Sequence, residues 1–197
     1  MRVLLKIRLD CDPDAAWRAI RSPAVLREVV APWLDFASLE AGGLPTVWPE
    51  GRHRLRPLAL RKWPAGEEVV DIAYPDGLPE GVRMLRDGGG AITGPLAAFA
   101  RWDHRMAVSA LPGGGTLYRD RLLATTGNAL ADAACWYPTW AFWQWRGARL
   151  KALAPGWAFD PPGTWDAVRA EAAAAASADA AAGGASGKGA SGDGASA

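Results

Sequence analysis

Apolar and charged residues alternate from the first positions of the chain. Val3, Leu5, Ile7 and Leu9 share one side of an extended segment, and Arg2, Lys6 and Arg8 share the other. This period of two predicts a half-buried strand over Arg2–Leu9. The pattern then changes: Asp12 can cap, Pro13 stands where a first helical turn tolerates proline, and Asp14 complements the dipole. A helix is predicted through Trp17 and Ile20 to about Arg21. Ser22–Pro23 repeats the device and predicts a second short helix over Ala24–Val30. After Pro32 the helical signals stop. Short alternating runs separated by turn residues predict strands near Leu34–Leu39, Gly51–Leu60, Glu67–Tyr74, Val82–Asp87, Phe99–Ala110 and Thr116–Ala124. The last two flank Pro112–Gly113–Gly114–Gly115, which has the composition of a hairpin loop.

The final element decides the architecture. From Trp136 to Ala154 the spacing is helical, with Pro138 near the start, Arg146, Arg149 and Lys151 toward the end, and Pro155–Gly156 as a stop. Trp136, Trp140, Trp143, Gly147, Leu150 and Ala154 fall on one narrow stripe, which should face a core. Burying each indole contributes ~5 kcal/mol of gross transfer free energy. Gly147 in the middle of that stripe lowers helix propensity by ~1 kcal/mol relative to Ala, so it implies either close approach of a strand or room for a ligand. Phe142 and Trp145 point away from the stripe. Either Trp157, Phe159 and Trp165 fold back over them, which is the favoured expectation, or they form a partner surface.

Composition narrows the functional classes. Lys plus Arg number 22 against 21 Asp plus Glu, a balance that gives no reason to expect a nucleic-acid partner or an anionic surface. In Arg52–His53–Arg54–Leu55–Arg56 the charges recur at strand period, which predicts a solvated sheet face with His53 exposed. Cys11 and Cys135 make neither a metal spacing nor a disulfide framework, so a reducing cytoplasm is the expected compartment. No sequence window approaches the ~18 apolar residues of a membrane span. Residues 1–158 are expected to form one domain and 159–197 an extension. From about 169 that extension is an Ala/Gly/Ser-rich run without large apolar residues, predicted to be a disordered tail.

Three stretches carry a family resemblance: Asp12–Trp17 with Ser22–Pro23 behind it, Gly115–Arg121, and Phe142–Leu150. In this order of elements the chain resembles the START/Bet v 1-like helix-grip superfamily (SRPBCC), which also holds polyketide cyclases and dehydrases. The resemblance implies an α+β fold, a curved antiparallel sheet of six to seven strands around a long C-terminal helix with two short helices after the first strand. It also implies a cavity between sheet and helix, which relatives use for lipids, sterols, hormones or polyketide intermediates.

The chemistry expected of such a cavity starts at His104, which shares a strand face with Trp102, Met106 and Val108. An imidazole projecting inward could be tuned across neutral pH by a carboxylate, and Asp120 in the next strand is the natural partner, with Tyr118 beside it. Whether they meet depends on the hairpin register. Trp102, His104, Met106, Trp136, Trp140, Trp143, Gly147 and Leu150 are the candidate ligand-binding residues. Gly88–Gly89–Gly90 fits neither a phosphate loop nor a dinucleotide fingerprint and reads as a flexible connection. Two histidines without a cysteine cluster do not make a zinc site, and no G-x-S-x-G occurs. The leading expectation is therefore a cofactor-free, metal-free protein, monomeric or weakly dimeric, that binds an apolar or amphipathic small molecule. A polyketide aromatase/cyclase-type enzyme using His104 with Asp120 or Tyr118 is the alternative. A partner-binding module using Phe142 and Trp145 is a third.

Overall fold

The two cap-then-proline signals form as read. The Asp12 carboxylate accepts from the Ala15 amide at 2.8 Å and the Ser22 hydroxyl from the Val25 amide at 3.5 Å, each followed by proline in the first helical turn. The computed structural model describes residues 1–159. Strand β1 (Arg2–Leu9) leads into helices α1 (Pro13–Ile20) and α2 (Pro23–Val30). Strands β2 (Leu34–Ser38), β3 (Gly51–Ala59), β4 (Trp63–Pro64), β5 (Glu67–Ala73), β6 (Arg83–Asp87) and β7 (Gly90–Thr93) come next. A 3-10 turn (Pro95–Ala98), β8 (Arg101–Ala110), β9 (Thr116–Thr125), helix α3 (Ala129–Leu153) and a 3-10 segment (Ala154–Phe159) complete the order. The expectations for the tail from about 169 and for Trp165 lie outside the described residues.

The strands form one antiparallel sheet in the order β1-β9-β8-β6-β5-β3-β2, with β4 paired to β3 and β7 to β5. Seven strands thus make the continuous path, as expected, and two short additions bring the count to nine. Of these, β7 was hidden by the glycines read as a flexible connection. Gly89 is needed there for packing: a Cβ on it would lie 1.9 Å from the Val69 carbonyl oxygen. The three helices cover one face of the sheet, giving the α+β helix-grip arrangement. Two cores result. One joins β1, β8, β9, α1 and α3 through Val3, Leu9, Tyr118, Leu122 and Trp143, and the other gathers Trp48, Leu55, Val70, Ile72 and Leu85.

Helix α3 begins seven residues earlier than the sequence pattern indicated, at Ala129 rather than Trp136. Asn128 caps it through the Leu130 and Ala131 amides, and Asp132 ties its first turn to the Thr125 hydroxyl and the Thr126 amide. Pro138 consequently sits inside the helix. His53 is also corrected. It faces inward with Leu55 and Pro57 while Arg52, Arg54 and Arg56 face water, and its Nε2 meets the Pro49 carbonyl oxygen at 3.0 Å. The alternation was right, but His53 occupies the other phase of it.

Candidate functional site

Between the sheet and α3, with α2 along one side, lies a cavity of about 520 Å³. Apolar side chains from α2, β5, β6 and α3 make most of its wall, among them Val25, Leu26, Val70, Ile72, Leu85 and Phe142. Titratable side chains also line it: His104, Tyr118 and Arg146 from β8, β9 and α3, and Glu68 and Asp87 from β5 and β6.

The hairpin register brings the first group together. Asp120 pairs with Met106, Tyr118 with Val108 and Leu122 with His104, so that His104, Tyr118 and Asp120 share the inward face. His104 Nε2 and Asp120 Oδ1 are 2.8 Å apart, the Trp143 indole donates to the same oxygen at 2.8 Å, and the Tyr118 hydroxyl donates to Oδ2 at 2.8 Å. An ionised carboxylate only accepts, so the His104 Nε2 carries a proton. Arg146, 5% exposed, lies 3.7 Å from Asp120 Oδ2 and over the Trp143 ring at 4.7 Å. Burial opposes ionisation of Asp120, but the charges of His104 and Arg146 and the bonds from His104 and Trp143 outweigh it and hold the carboxyl well below the usual range. Burial and the neighbouring Asp120 charge push the Tyr118 phenol well above its ordinary value, so it stays a donor.

The second group is chemically different. Glu68 follows the irregularity in the β5–β7 pairing and lies on the inward side of β5 with Val70 and Ile72. Burial, then the charge of Asp87, raises its carboxyl to about 7. Asp87 stands opposite His104 in the β6–β8 ladder. Its Oδ1 accepts from the Asp71 amide at 2.9 Å and the Gly89 amide at 3.0 Å, yet burial still raises its pKa.

Of the residues singled out from sequence, Trp102, His104, Met106, Tyr118, Trp143 and Leu150 line the cavity, and Asp120 lies behind His104. Trp136, Trp140 and Gly147 do not. Trp136 and Trp140 stack on each other at the surface, 42% and 36% exposed, with the Trp136 indole donating to the Arg2 carbonyl. Gly147 meets β1, where an added Cβ would lie 2.9 Å from Leu5 Cδ2, so strand approach rather than ligand space explains it. The cavity face of α3 instead carries Cys135, Pro138, Thr139, Phe142, Trp143, Arg146 and Leu150, a stripe rotated by roughly 80° from the indole-rich one at 100° per residue. Phe142 therefore faces inward and offers no partner surface. Trp145 packs edge-on to Trp33 and donates to the Ala31 carbonyl, while Trp157 lies with Ala24, Val25 and Leu153 rather than over Phe142 and Trp145. Sequence reasoning missed Arg146, read as a dipole charge, although it lies three residues from Trp143 on the same helix face. It also missed Glu68 and Asp87, although both alternate in phase with inward apolar residues.

Among the described residues no three or more His, Cys, Asp or Glu side chains are grouped to hold a metal ion, and no helix is long and apolar enough to cross a membrane. No family model matches the chain, and no curated protein matches it in sequence. Solved structures do match in fold. Norcoclaurine synthase of Thalictrum flavum, a point mutant in complex with a transition-state analogue, is 9% identical, with 79% of this chain and 94% of that chain covered at a TM-score of 0.55. Hypothetical protein jhp0584 of Helicobacter pylori is 11% identical over 78% of this chain and 88% of its own, with a TM-score of 0.55. Protein CV1439 of Chromobacterium violaceum is 17% identical over 78% and 96%, with a TM-score of 0.50. These likenesses establish the Bet v 1-like helix-grip fold.

Proposed function

We propose that the protein binds a hydrophobic or amphipathic small molecule in the cavity between the sheet and α3. The observation that carries this reading is the cavity itself, about 520 Å³ of space walled largely by apolar side chains. A void of that size forgoes dispersion contacts that a packed core would make, and pockets of 300–1,000 Å³ are the usual size for small-molecule sites. The norcoclaurine synthase structure, of the same fold, holds a small molecule. Native mass spectrometry of freshly purified full chain is expected to show a co-purifying ligand. Failing that, a lipid and polyketide panel should raise the Tm, since a ligand at 100 times its Kd stabilises by ~2.7 kcal/mol. No co-purifying mass and no thermal shift from any panel member would remove the proposal.

A second reading is favoured by one specific geometry. His104, oriented by Asp120, lines the cavity beside Tyr118, and a neutral imidazole held in this way is the arrangement of a general base. An aromatase/cyclase-type enzyme would use it to move protons on a folded poly-ketone. His104→Gln should then abolish turnover of such a substrate while leaving the far-ultraviolet and near-ultraviolet spectra unchanged. Retained turnover would exclude this role for His104.

A further inference from the structure

Several carboxylates set into this sheet are matched by cations. Asp35 meets Arg27 and Arg61, Asp103 meets Arg86, Arg105 and Arg121, and Asp120 meets His104 and Arg146. Glu68 has no ion pair and no side-chain hydrogen bond among the described residues, although it lines the cavity. Asp87, whose charge acts on it, accepts from two backbone amides and stands opposite His104 in the β6–β8 ladder, with no salt bridge among the described residues. The groups able to carry positive charge nearby are His104 on β8 and Arg146 on α3, and both are engaged by Asp120 of β9. With Tyr118 a neutral donor, this end of the cavity has an excess of negative charge when its acids are ionised. Its walls are aromatic: Trp102 and Phe99 both line it, with ring centroids 5.9 Å apart.

We propose that the molecule held in the cavity is an amphipathic amine, its protonated nitrogen seated by Glu68 and Asp87 and its hydrocarbon body against the apolar wall. This rests on reading the cavity as a binding site and names the class of its ligand. Aromatic faces and carboxylates together suit an organic cation, because the ring quadrupole attracts positive charge while the ring replaces water around the alkyl part. A metal ion fits less well, since divalent cations take several more oxygen ligands than this pair supplies. The amine also resolves an electrostatic conflict: two neighbouring acids in an apolar wall repel, and a cation between them removes the repulsion.

The test is isothermal titration of the full chain with three probes of one shape, naphthylethylamine, naphthylethanol and naphthylacetate. The amine is expected to bind about tenfold more tightly than the alcohol, and the acid most weakly. In Glu68→Gln and Asp87→Asn the preference for amine over alcohol should collapse while the alcohol affinity is kept. Circular dichroism confirms the fold of each variant, and Glu68→Gln removes no protein hydrogen bond and so serves if Asp87→Asn unfolds. Equal binding of amine and alcohol, or a preference surviving in both folded variants, overturns the amine but leaves the cavity as a binding site. Binding of none of the three overturns both.

Discussion

At the residue scale, Asp120 holds the buried polar group of the cavity together. It accepts from His104, Trp143 and Tyr118, and it is the counter-charge of a buried guanidinium. Asp120→Asn keeps the shape but leaves Arg146 without its anion, and breaking a buried pair costs about 3–5 kcal/mol. At 2–4 °C per kcal/mol for a chain of this size, the Tm should fall by roughly 10 °C in calorimetry. A drop under ~2 °C would show that Arg146 is solvated. The pH dependence follows from the depressed carboxyl. Between its native pKa and the ordinary value near 4, the unfolded chain binds the extra proton, so stability rises with pH there and is lost on acidification below about 4. The variant should show a flatter acid limb. Glu68 has the opposite sign. Its carboxyl is raised to about 7, so the native state binds the extra proton between the ordinary value and 7, and stability falls as pH rises through that window. Glu68→Gln should therefore raise the Tm at pH 8 and leave it unchanged at pH 4, in scans of both proteins with no ligand added.

At the scale of elements, α3 shows where pattern suffices and where it does not. Gly147 lies where the helix presses on β1. An alanine Cβ there would come within 2.9 Å of the end of the flexible Leu5 side chain, and the ~1 kcal/mol gained in helix propensity offsets the small shift required. Gly147→Ala is expected to change the urea midpoint little, whereas Gly147→Leu should destabilise by about 2–3 kcal/mol because it overpacks the seam. A tolerated leucine would mean that α3 stands off the strand. The caps at Asp12 and Ser22 and the β8–β9 hairpin could be read from sequence because each is local: a side chain, a proline or a glycine run within a few residues specifies it. The start of α3 was missed because Asn128 and Asp132 act through the Thr125–Thr126 turn, with the apolar periodicity beginning only later. The cavity face was missed because indoles dominate the stripe by size. The helix lies against an edge strand, so Trp136 reaches the backbone of β1 and Trp140 stays partly in solvent, while Phe142 and Arg146 turn inward.

At the scale of the molecule, the order of elements is enough to specify a helix-grip fold, because a sheet with one apolar face and a single long helix has few ways to bury both. The contents of the cavity are not specified in that way. Glu68, Asp87 and His104 come from three strands, and only the register places them on one wall. The cavity lies between two cores, with Trp17 and Met106 packed against both, so the fold holds without anything in the space. That separation makes a filled cavity tolerable. Val70 projects into it from the middle of β5, and Val70→Phe would place a ring in empty volume, adding dispersion contacts without displacing the neighbouring core. The expected outcome in thermal scans is a Tm raised by a few degrees, from about 1 kcal/mol of added packing, together with loss of the shift produced by a bound ligand. A lowered Tm with that ligand shift retained would place the ring in packed protein instead, and would move the binding volume away from β5.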